Sequence, residues 1–87
     1  MYALIDRVST YAVMVGRGVG CGVDVSGPIS RVGAWLDREA PPGSEAQRTL
    51  LLIYMQQTLY HAGQQVSGKS PDGCDTVARA IRNHPWP

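Results

Sequence analysis

SEAQRTLLLIYMQQTLYHAGQQVSG, residues 44–68, is the longest unbroken helical pattern in the chain, and its reading decides the fold. Ser44-Glu45-Ala46-Gln47 has the form of a capping box, in which serine hydroxyl and glutamine amide satisfy free backbone groups of the first helical turn. Leu52, Met55, Leu59, Ala62 and Val66 then recur at alternating spacings of three and four, which places them on one face of a helix over residues 45–67. Leu50, Leu51, Ile53 and Tyr54 widen the apolar surface at the N-terminal half, and Gly68 is placed to stop the helix. The expectation is a long central helix whose Leu52-to-Val66 stripe is the core, with the rest of the chain packed around it.

Working outward, Pro41-Pro42-Gly43 is a short stiff connector, because a residue preceding proline is pushed out of the helical region. Before it, residues 28–40 read as a helix, with Ser26 or Gly27 as cap and Pro28 in the first turn. Its stripe is Ile29, Val32 and Leu36, with Trp35 beside it. At the start of the chain, residues 2–16 read as a helix with Leu4, Ile5, Val8, Tyr11, Ala12, Val15 and then Val19 on one face. Glycine follows at every second position from Gly16 to Gly22. That run lacks the spacing and the preceding strand of a phosphate-binding loop. It reads either as a turn that frees Cys21 to reach a partner or as a continued helix with Ala12, Gly16 and Gly20 as a small-residue seam. The turn is the preferred reading, because such seams are best known between membrane helices. Past Gly68, Ser70-Pro71-Asp72 opens a helix over residues 71–83, whose buried side is Cys74, Val77, Ala78 and Ile81. The sum is an all-α, single-domain bundle of about four helices over residues 1–87.

A domain of 87 residues buries only roughly 60–65% of its unfolded surface, so a covalent staple matters. The two cysteines, Cys21 and Cys74, would close a loop of about 53 residues, worth about 4 kcal/mol in the chain-entropy model. An even, minimal cysteine count in a short chain points to an exported, periplasmic or secreted protein, the alternative being a cytoplasmic protein with two buried thiols. No signal peptide is read at the start, since Asp6 and Arg7 interrupt the apolar run, and Met1 is read as standing where a removed signal ended. A net charge of +1 with 17% charged residues argues against a partner bound mainly by charge, such as nucleic acid or an anionic membrane. Residues 49–68 carry no formal charge, yet Gln56, Gln57, Gln64 and Gln65 make them too polar to span a bilayer.

Groups for catalysis are sparse. The histidines are His61 and His84, and no H-x-x-x-H or C-x-x-C spacing occurs, so neither a metal nor another cofactor is expected. Tyr54, Gln57, His61 and Gln64 share the helix face opposite the apolar stripe, a strip that reads either as plain solvated surface or as a partner-binding surface. Trp86, between two prolines, either docks on the helices or serves as an exposed anchor. Cys74 in the first turn of a helix would have a lowered thiol pKa, which is the argument for a thiol nucleophile, but Asp72 and Asp75 oppose a thiolate there. Gly22 to Arg31 resembles a DNA-reading helix-turn-helix, with glycine in the turn and Ile29-Ser30-Arg31 on the second helix. That resemblance implies a cytosolic DNA-binding domain using residues 22–40. The overall layout is similar to small periplasmic helical proteins with one disulfide, acid-stress chaperones among them. The reading favoured by the residues is a non-enzymatic, exported, disulfide-stabilised binding or accessory module of chaperone or inhibitor type. Its alternatives are the DNA-binding domain and a thiol enzyme built on Cys74.

Overall fold

Residues 2–87 of the computed structural model form four helices and no strand: α1 (Tyr2–Gly20), α2 (Ser26–Glu39), α3 (Glu45–Val66) and α4 (Cys74–Asn83). The expectation attached to Met1 lies outside these described residues. The chain folds into a body of 36 × 22 × 19 Å. Its centre is α1, the helix that packs against each of the other three, and not α3 as the sequence pattern suggests.

The glycine run explains how α1 takes that position. The helix does not fray at Gly16. It continues to Gly20 and ends in a Schellman motif: Gly22 has φ +72°, its N–H donates to the Val19 carbonyl, and Val23 N–H donates to Gly18. Within the helix the glycines remove side chains where other elements come close. A Cβ on Gly16 would lie 2.5 Å from the Thr58 carbonyl oxygen, and one on Gly20 would lie 2.8 Å from that of Ala62. Ala12, one turn earlier, is fully buried. The small-residue seam is therefore the reading that holds, and it seats α1 directly on the backbone of α3. A Cβ on Gly18, on another side of α1, would meet Ile81 at 2.6 Å and Val25 at 2.7 Å.

Two apolar clusters flank this seam. Val8 and Tyr11 of α1, Val32, Trp35 and Leu36 of α2 with Ala40 at its end, and Leu50 of α3 form the larger. Val15, Val25, Val77 and Ile81 form the smaller, at the α4 end, and Trp86 packs against both. Ile29 and Val19 were expected on buried stripes but are 45% and 48% exposed.

Helix ends follow local chemistry with small shifts. Ser44 caps α3 by accepting from Gln47 N–H at 3.1 Å, as the capping box requires. The Gln47 side chain, however, accepts from Gly43 N–H and donates to Asp37 at 2.7 Å and to the Ala40 carbonyl, so it also ties α2 to α3. At the other end of α3, Gly68 has φ +73° and closes a second Schellman motif, with Lys69 N–H donating to Gln64. Val25, not Ser26 or Gly27, precedes the first turn of α2, and the Asp24 carboxylate accepts from both the N–H and the hydroxyl of Ser26. Gly73 precedes α4, which begins three residues later than Ser70-Pro71-Asp72 suggested. Cys21 and Cys74 are joined in a disulfide with their Cα atoms 5.5 Å apart. The bridge links the end of α1 to the first residue of α4.

Candidate functional site

α3 is seated the opposite way round from the expectation. The stripe read as core points outward: Leu52 is 57% exposed, Met55 58%, Leu59 72% and Val66 74%. Only Ala62 of that set is partly covered. The polar strip read as the open face points inward, and Tyr54, Gln57, His61 and Gln64 are all half-buried. The physical reason is the partner. α1 offers α3 a backbone seam at Gly16 and Gly20, which accommodates any residue by its Cβ and first atoms, and His61 and Gln65 lie there with their Cβ atoms 3.0 and 2.7 Å from the missing side-chain positions.

Once inside, the polar side chains act as struts. Gln65 donates to the Asp72 carbonyl at 3.0 Å and reaches the Cys74 sulfur at 3.8 Å, bracing the loop into α4. Arg17 forms a 3.4 Å ion pair with Asp72 of the same loop. The Tyr54 hydroxyl and Thr58 Oγ1 are buried without a hydrogen-bond partner. Burial pushes the Tyr54 phenol above its ordinary pKa. Burial, and after it the charge of Arg17, holds the His61 imidazole below its ordinary value.

Trp86 is docked, not free. Its indole N–H donates to the Ile81 carbonyl at 2.9 Å, and its ring lies 4.8 Å from that of His84 and 5.7 Å from that of Tyr11. Arg7 closes the same corner, its guanidinium 4.8 Å from the Trp35 ring and bonded to the Tyr11 hydroxyl. A shallow recess of about 390 Å³ opens beside it, lined by Asp6, Arg7, Thr10, Tyr11, His84 and Pro85. A smaller one of about 190 Å³ lies between Arg17, Tyr60, His61, Gln64, Lys69 and Ser70.

The chain matches no family model, no curated protein and no solved structure. The reading of its surface therefore rests on its own residues. Among the described residues no three of His, Cys, Asp and Glu converge as metal ligands, and no helix is long and apolar enough to cross a membrane. Both cysteines are bonded to each other, so Cys74 carries no thiol in this form. Ile29, Ser30 and Arg31 of α2 are exposed, and residues 21–25 are the non-helical link between α1, which runs to Gly20, and α2.

What does stand out is the outer face of α3. Leu51, Leu52, Met55, Leu59 and Val66 are all exposed, together on the order of 500 Å², within the range of the largest apolar patch on a typical monomer, which is often functional. The sequence does carry this signal, in the three-and-four spacing. Spacing identifies the residues that share a face, and the glycine seam of α1 decides which face is covered.

Proposed function

We propose that this chain is a small, non-enzymatic, exported binding or accessory module, held together by the Cys21–Cys74 disulfide, whose working surface is the outer face of α3. The observation that carries the reading is the outward stripe of Leu52, Met55, Leu59 and Val66 on a helix whose inward side carries Gln57, His61, Gln64 and Gln65 over its C-terminal half. Exposing those side chains while covering glutamines forgoes hydrophobic stabilisation of roughly 1.5–3 kcal/mol for each large apolar side chain left out. Such an arrangement is accounted for by a second surface that covers the stripe. The disulfide supports export, because bridges persist in oxidising compartments, and the accessory role follows from apolar contact surface without a convergent set of reactive groups.

Photo-crosslinking tests the reading. A photoreactive residue is placed at Leu59 and, as a control, at Gly33, an exposed position of α2 with open space around it. In the cells that make the protein, position 59 is expected to give a discrete protein adduct and position 33 none. Absence of an adduct at position 59 overturns the assignment of the working surface, and recovery of the chain solely from a reducing cytosol overturns export.

A further inference from the structure

We propose that the outer face of α3 is covered by a second copy of this chain, lying antiparallel along it. The inference rests on the reading of that face as the working surface and adds the identity of what covers it. Three features converge on it.

The first is register. Leu52, Met55, Leu59, Ala62 and Val66 alternate at three and four residues, the seam of a two-stranded coiled coil, and the same register runs back to Arg48 and Glu45 in the first turn. About a twofold axis at residue 57 the seam is self-complementary. Met55 meets Leu59 of the other copy, Leu52 meets Ala62, and the stem of Arg48 meets Val66. Leu52 thus faces the small Ala62, and the adjoining Gly63 has open space around it, so two helices can come close.

The second is charge. Residues 49–68 carry no formal charge, so nothing on the flanks of the seam repels a second copy. The charges sit at the ends: Glu45 and Arg48 at the N-terminal end of α3, with the Arg48 guanidinium turned back to donate to the Gly43 carbonyl at 2.9 Å, and Lys69 just past its C-terminal end. Antiparallel pairing brings each Glu45 to the end that carries Lys69 of the other copy. Parallel pairing would set Arg48 against Arg48 and Glu45 against Glu45. A lipid surface is disfavoured by the same pattern, because an interfacial helix draws on Lys and Arg along its polar flanks, and residues 49–68 have none.

The third is area. On the order of 500 Å² from each copy gives a total near 1,000 Å², the lower limit for a specific interface, which corresponds to a weak, reversible dimer.

Sedimentation of the oxidised full chain between about 1 μM and about 1 mM reads the association directly. The mass is expected to rise from the 9.4 kDa of one chain toward twice that value. Leu59→Glu, or Met55→Lys should the first variant lose helicity by circular dichroism, is expected to hold the chain at one copy. Orientation is read by spin labels at Glu45→Cys. Twenty-four residues at a rise of about 1.5 Å separate the two labels by roughly 36 Å in the antiparallel dimer, against under about 15 Å in a parallel one. A monomer throughout the range, a dimer indifferent to both substitutions, or the short label distance overturns the proposal. Binding of the monomer to phosphatidylglycerol vesicles overturns it as well. A position-59 adduct with a different protein, together with a monomeric chain, overturns the dimer while leaving the binding-module reading in place.

Discussion

Gly16 is the residue on which the arrangement of the two long helices turns. Its missing Cβ lets α1 approach within contact of the Thr58 carbonyl, a backbone atom that cannot rotate aside. Gly16→Ala is therefore expected to destabilise the fold by about 1–3 kcal/mol in urea unfolding, despite alanine's higher helix propensity. Gly33→Ala, in open space on α2, should instead be neutral or stabilise by up to about 1 kcal/mol. His61 gives a pH signature. Burial and Arg17 lower its pKa in the folded state, so the unfolded chain takes up the proton more readily. Stability is then complete above the ordinary value of 6.5 and falls as pH drops through it. The urea midpoint should decrease between about pH 7.5 and about pH 5.5, and His61→Gln should lessen that decrease. Neither role is legible in the sequence: a glycine run predicts a turn as readily as a seam, and a histidine among glutamines looks solvated until a partner helix covers it.

At the scale of the element, α3 shows what periodicity can and cannot tell. Its cap at Ser44 and its stop at Gly68 were legible because both depend on groups within a few residues of chain. The membership of its two faces was legible too. Their orientation was not, because α3 is apolar on several sides in its N-terminal half and the choice depends on what α1 presents. Leu50, from the widened part of the stripe, is fully buried, whereas Leu59, from the regular stripe, is 72% exposed. Leu50→Ala should accordingly cost about 2–5 kcal/mol, while Leu59→Ala, measured at low micromolar concentration, should change stability by less than about 0.5 kcal/mol. Equal losses at both positions would contradict the placement of the helix.

For the whole molecule, the cysteines carried the long-range information that local patterns lack. Two of them in a short chain, placed at the start of one helix and the end of another, named a contact between residues 53 apart, and the bridge is formed there. Reduction should lower stability by about 4 kcal/mol in the chain-entropy model, seen as a shift of the urea midpoint with dithiothreitol and absent in the Cys21→Ser, Cys74→Ser double variant. The small-residue contact between α1 and α3 has no comparable covalent mark, which is why the centre of the bundle was assigned to the longer helix. That contact is the foundation of both the fold and the exposed stripe. Carbon-edited NOESY on the oxidised chain tests it most directly. The Hα protons of Gly16 should show cross-peaks to the Hβ protons of His61, and the methyls of Leu59 should show none to Val8 or Val15. Strong cross-peaks from Leu59 or Met55 methyls to Val8 and Val15 would put the apolar stripe in the core and contradict the account.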